Sequence, residues 1–223
     1  MSTFFVNGPS SFAVRGRTYG GEAASGDGAN RLVRRARRWP VTAAVVLLLA
    51  LAAWQFSGAA WIHAKAALAQ HLIASAWEEG KAGGDRKPWP WADTRPLARL
   101  TVPSRGIDLY VLAGTSGRSL AFGPGHVDGT ALPGSAGNSV IVAHRDTHFA
   151  FLRHLREDEE IDVEDARGRL TRYRVREVAI VDKSETRLLD PADSPQLTLI
   201  TCWPFDAVQP GTAQRYVVIA DRV

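Results

Sequence analysis

Two hydrophobic patterns divide this chain. From Arg95 onward, apolar residues come in short runs centred on Leu100 to Val102, Leu109 to Leu112, Val140 to Val142, Glu160 to Val163, Tyr173 to Val181, Leu197 to Thr201 and Tyr216 to Ile219, with turn residues between them. Runs of this length, rich in β-branched and aromatic residues and punctuated by Gly and Pro, read as strands. Seven or eight of them without intervening helical periods predict an all-β domain, closed or nearly closed into a barrel, rather than a parallel α/β sheet. Helical pieces fit only near Arg118 to Phe122 and Phe149 to Leu155. No internal repeat is visible.

Upstream the pattern changes. Between Trp39 and Ile62 the chain carries no charge over 24 residues, about 36 Å of helix at 1.5 Å per residue and enough to cross a bilayer core of roughly 30 Å. Arg31, Arg34, Arg35, Arg37 and Arg38 flank it on the N-terminal side. The positive-inside rule then predicts a single pass with the N-terminus in the cytoplasm and the rest outside. A buried core helix would show polar positions along one side, and only Thr42, Gln55 and Ser57 interrupt this run. A cleaved signal peptide is the competing reading, since Ser57, Gly58 and Ala59 form a small-residue patch, but the run is longer than a usual signal core.

The expected organisation is a disordered, basic cytoplasmic tail over 1–38, a transmembrane anchor over 39–62, a juxtamembrane helix and linker over 63–94, and the β domain over 95–223. In the third segment, Leu68, Leu72, Ile73, Ala76 and Trp77 are spaced for one helical face, and Gly80, Gly83 and Gly84 end it. Pro88, Trp89, Pro90 and Trp91 make a stiff entry to the domain, its tryptophans suited either to a lipid interface or to packing.

Net charge refines the picture. The formal value of +4 hints at nucleic acid, yet from Arg95 onward 16 Lys and Arg face 17 Asp and Glu. The excess lies upstream, where it points to a membrane surface instead. No nucleic-acid partner is expected.

The chain contains one cysteine, Cys202, at the end of the run Thr198 to Thr201 and just before Trp203 and Pro204. Alone it reads as an inert buried thiol. A free thiol is only a few per cent thiolate near neutral pH, so a working one needs a base or cation and an oxyanion donor. His144 ends the run Ser139 to Ala143, and Arg215 opens the run Tyr216 to Ala220. Polar groups at the ends of three apolar strands can converge on one face of a sheet or barrel. Together they support acyl transfer: Cys202 as nucleophile, His144 as general acid and base, and Arg215 as oxyanion donor. His144 and His148 also make an H-x-x-x-H spacing, but the preceding run is a strand and the glutamate of the zinc-protease pattern is missing. Glu157 to Glu160 reads as solvated surface. No metal and no cofactor are expected.

The same residues carry a resemblance. Thr198 to Cys202 (TLITC), a histidine after a hydrophobic strand and an arginine 13 positions past the cysteine resemble the sortase family. So do Gly123 to Gly125, His126, Gly129, Thr130, Leu132, Pro133, Gly134, Gly137 and Asn138, followed by His144, Arg145, Asp146 and Thr147. The resemblance covers roughly the last 130 residues. It implies an eight-stranded barrel and the same three catalytic roles. It also implies a C-terminal sorting motif of the Leu-Pro-x-Thr-Gly kind on a secreted protein as substrate, with an unidentified amine as acceptor. The groove is expected from the segment Asp182 to Gln196, with Leu188 and Leu189 in its wall and Thr201 and Ala143 beside the reacting groups. His126 is expected in a structural hydrogen bond, and Asp146 and Thr147 either hold the loop after His144 by side-chain to backbone bonds or do nothing beyond turning the chain. The Arg-rich start and Pro-Trp-Pro-Trp entry resemble sortases of Gram-negative bacteria. A protease of the same fold and an inert membrane-tethered binding module are the alternatives. The L,D-transpeptidases, which also use cysteine, histidine and arginine, place their cysteine in a different local motif.

Overall fold

The computed structural model describes residues 26–81, 84 and 86–223. The chain divides into two units, 1–58 and 59–223. A single helix, α1 (Gly26–Lys81), contributes to both. It begins within the stretch expected to be a disordered tail. Among the described residues no helix is long and apolar enough to cross a membrane. The expected anchor over 39–62 falls partly on residues 41, 56–60 and 62, whose side chains lie outside those described.

In the second unit the last turns of α1 dock on the β domain through Ala69, Ile73, Ala76 and Trp77, all buried. The expected stripe is thereby corrected at one end: Leu68 is exposed, because the docked face runs through Ala69, four residues before Ile73. Trp77 packs on Tyr110 at 6.2 Å between ring centroids, and Lys81 pairs with Glu164 at 2.7 Å. The two tryptophans of the entry part company. Trp89 stands edge-on to Phe122 at 5.2 Å, whereas Trp91 is 82% exposed.

Eight strands close a barrel: β1 (Pro96–Val102), β2 (Ile107–Ala113), β3 (Gly125–His126), β4 (Asn138–Val142), β5 (Glu160–Asp165), β6 (Leu170–Asp182), β7 (Gln196–Trp203) and β8 (Gln214–Arg222). Their order around the wall is β1-β2-β3-β4-β7-β8-β6-β5. Most neighbours are antiparallel, but β2 with β3 and β4 with β7 run parallel. The predicted barrel is thus present. The strand that its hydrophobic pattern did not reveal is β3, two residues long and made of Gly125 and His126. A Cβ at Gly125 would collide with the Gly114 carbonyl, so glycine is there for close approach and leaves no apolar signal. Short helices appear near both predicted places, α2 (Gly117–Leu120) and a 3-10 turn over Ala150–His154, with further 3-10 turns over Pro103–Arg105 and Thr186–Leu189.

Alternation sorts the side chains of β4, β7 and β8. Ile141, Ala143, Leu197, Leu199, Val218 and Ala220 enter the barrel core, which Phe149 and Leu152 close from the segment after β4. The alternate positions Val140, Ile200 and Val217 form a second apolar cluster on the outer face, joined by Val127, Val142, Val181, Leu188 and Ile219.

Candidate active site

The site grows out of that outer face. Val142 pairs with Ile200 across β4 and β7, and Ile200 pairs with Val217 across β7 and β8, giving one apolar row over three strands. Side chains two residues further along a strand point the same way, about 6.8 Å on. On β7 and β8 that next row is Cys202 and Arg215, and on the third strand the same step leads to His144, two residues past the end of β4. Cys202 and Arg215 are direct register partners in the antiparallel pair of β7 and β8. Partners of this kind have Cα atoms about 4.5–5.5 Å apart and side chains on one face.

On the other side the ladder of β4 and β7 continues past Val142 through the bond from Ala143 N to Ile200 O, 3.3 Å, and Thr201 Oγ1 donates to Ala143 O at 2.7 Å. His144 and Cys202 therefore leave the same end of adjacent strands. The sequence spacing hid this: 58 residues separate histidine from cysteine, and parallel pairing erases the gap.

The three groups differ in exposure. Cys202 is half-buried, His144 is exposed and Arg215 is half-buried. Arg215 Nη1 donates to the carbonyls of Thr212 and Gln214, at 2.8 and 2.9 Å. These bonds fix the head group while its other N–H groups have no protein acceptor among the described residues. His148 lies close enough for its imidazole to be held below the ordinary histidine value, by burial first and by the charge of His144 second. Thr147 Oγ1 meets His148 Nδ1 at 3.4 Å. Among the described residues no three His, Cys, Asp or Glu converge as metal ligands.

Of the expected groove residues, Leu188 packs against the outer apolar cluster beside the reactive row, and Leu189 is exposed. Thr201 and Ala143 are not in the groove. Both are buried on the inner face and bonded to one another, because adjacency in sequence to an outward residue means the opposite face in a strand. His126 is buried, with Nε2 2.8 Å from Ala131 O and 3.1 Å from Thr130 Oγ1, a structural placement as expected. The turn after His144 is closed by the backbone bond from Phe149 N to His144 O, 3.0 Å, rather than by Asp146, which is exposed and makes no side-chain hydrogen bond among the described residues.

Sequence reasoning gave no separate role to Arg145. Its guanidinium is buried and spans to the segment between β7 and β8: Nη2 donates to Ala207 O at 2.7 Å and Gln209 O at 2.9 Å, and Nη1 reaches Thr212 Oγ1 at 3.4 Å. An arginine in a turn is ordinarily exposed. Nothing local in the sequence marks this one as buried.

Comparison with known proteins agrees with the fold. The family model for the sortase domain matches residues 100–223. Sortase D of Bacillus subtilis (strain 168) is 31% identical over 126 residues, 56% of this chain and 62% of the relative, so the chain spans under two thirds of that protein's length. Sortase A from Corynebacterium diphtheriae is 31% identical with a TM-score of 0.53, covering 60% of this chain and 63% of that one. Sortase C-1 from Actinomyces oris is 28% identical with a TM-score of 0.52, covering 70% and 97%. With more than half its length matched and the barrel reproduced, the chain belongs to the sortase family.

Proposed function

We propose that this protein is a membrane-anchored cysteine transpeptidase of the Gram-negative type. It cleaves the C-terminal sorting motif of a secreted protein and joins the new carboxyl end to an amine. The observation that carries this reading is the pairing of Cys202 with Arg215 across β7 and β8, with His144 two residues past the end of β4, the strand parallel to β7. Cys202 Sγ, as thiolate, attacks the scissile carbonyl carbon. The tetrahedral oxyanion takes hydrogen bonds from the N–H groups of Arg215 that the loop carbonyls leave free, a permanent charge that needs no protonation step. His144 gives its proton to the departing amine as the C–N bond breaks, leaving a thioester on Cys202. An incoming amine then attacks the thioester carbonyl, passes its proton to His144 and expels the thiolate. Proton transfer of this kind is typically worth about 10² to 10⁴ in rate.

Val142, Ile200, Val217, Val181 and Leu188 form the apolar surface leading to the thiol, suited to the Leu and Pro of a Leu-Pro-x-Thr-Gly-like motif. The anchor rests on the uncharged run 39–62 and on apolar side chains of α1 that stand exposed there, among them Val46, Leu47, Leu48 and Leu49. With arginines on its N-terminal flank, this run places the tail in the cytoplasm and the barrel outside the inner membrane.

The test uses the full chain in detergent micelles with a sorting-motif peptide and hydroxylamine. Cleavage with hydroxamate capture is expected. Cleavage with no capture assigns a hydrolase instead, and binding with no cleavage assigns an inert module.

A further inference from the structure

We infer that Arg145 is a positioning residue that acts through Arg215: it holds the segment between β7 and β8 so that the oxyanion donor is aimed at Cys202. This rests on the role proposed above for Arg215. The segment from Pro204 to Ala213 leaves the barrel immediately after the cysteine strand and returns immediately before the arginine. It is anchored at its start by Phe205, which stands edge-on to Trp203 and Tyr216 at 5.7 and 5.1 Å, with the Arg153 guanidinium 4.8 Å above its ring. Beyond Phe205 the chain lacks an apolar anchor, and Val208 at its tip is 98% exposed.

Arg145 supplies what hydrophobic contact does not. Its buried guanidinium ties Ala207, Gln209 and Thr212, three points along the segment, to the turn that begins at His144. Thr212 is the junction. Its side chain meets Arg145 and its carbonyl accepts from Arg215 Nη1. The Gln214 carbonyl, the other acceptor for that nitrogen, lies at the same strand entrance. The imidazole's turn and the guanidinium's anchor are thereby parts of one hydrogen-bonded body, closed by a planar cation whose several donors lysine cannot reproduce. Displacing a reacting or stabilising group by about 1 Å can cost about 10² in rate, and slack in this segment moves Arg215 by that scale.

The experiment is a double-mutant cycle on the full chain, with Arg145→Lys and Arg145→Ala each made in wild-type and Arg215→Ala backgrounds, and thioester formation on Cys202 followed by mass spectrometry. Arg145→Lys keeps the charge and serves where Arg145→Ala does not fold. In the wild-type background acylation falls about 10- to 100-fold; in the Arg215→Ala background the further loss is under about threefold, because the group being aimed is gone. Hydrogen exchange of Arg145→Lys shows faster exchange confined to residues 204–215. Equal losses in both backgrounds, or unchanged exchange in that segment, overturns the assignment. A wild-type chain that forms no thioester sinks the transpeptidase reading instead, and the exchange measurement still decides whether Arg145 holds the segment.

Discussion

Two loops border the reactive row, and each is tied down by one buried polar side chain near β4. The loop between β6 and β7 is held by Asn138, whose Nδ2 donates to Leu188 O at 2.9 Å and Asp190 O at 3.1 Å while its Oδ1 accepts from Thr198 Oγ1 at 2.8 Å. The loop between β7 and β8 is held by Arg145 through Ala207, Gln209 and Thr212. The difference lies in what each loop carries. The first brings an apolar wall, Leu188, against Val140, Ile200 and Val217. The second leads into β8, where Arg215 carries a charge as the register partner of Cys202. On the proposed mechanism one tether bears on binding and the other on the chemical step, a separation that kinetics can resolve.

The comparison yields a ranked set of expectations. Cys202→Ala abolishes thioester formation and peptide cleavage while leaving the thermal unfolding midpoint within a few degrees, since the side chain is small and only half-buried. Arg215→Ala lowers kcat/KM by roughly 10² or more, chiefly in kcat, and Arg215→Lys recovers only part of it. An unchanged rate in Arg215→Ala removes it from the oxyanion role.

Asn138→Ala tests the other tether. It leaves two loop carbonyls and the Thr198 hydroxyl without their partner, a loss of about 1–3 kcal/mol in urea unfolding. Its kinetic signature is the reverse of the arginine's: KM for the sorting peptide rises severalfold and kcat changes little. Leu188→Ala gives the same split with a smaller stability loss, and a fall in kcat alone in either variant breaks the proposed division of labour.

The smallest effect is a pH dependence. Burial and the nearby charge of His144 hold His148 below the ordinary histidine value of 6.5. Between the depressed folded value and 6.5 the unfolded chain binds more protons, so stability rises with pH through this window and is lost on acidification. His148→Gln flattens that slope in denaturation curves recorded from pH 5 to 7.5. A slope unchanged by the substitution removes His148 as its source.

Hydrophobic spacing made most of the barrel legible, because seven of the eight strands coincide with a short apolar run bounded by turn residues. The eighth, Gly125–His126, is chosen for close backbone approach and carries no such pattern. The proposed trio was read on different grounds: a lone thiol at a strand end invites a search for a base and a cation. Thr201 and Ala143 were misplaced in the groove because a linear neighbour of a catalytic residue was expected beside it in space, whereas the strand period of two turns each inward.

Sequence alone determined most of the strands, the near-neutral barrel domain with its basic N-terminal flank, and the three side chains proposed for acyl transfer. Those properties reside in residue identity and short-range periodicity. Tertiary structure decided that β4, the strand before His144, lies parallel to β7, that Cys202 pairs with Arg215, and that Arg145 is buried against a loop more than 60 residues away. Such facts depend on which distant strands pair and where the closing loops are pinned, and long-range pairing leaves no trace in the local order of residues.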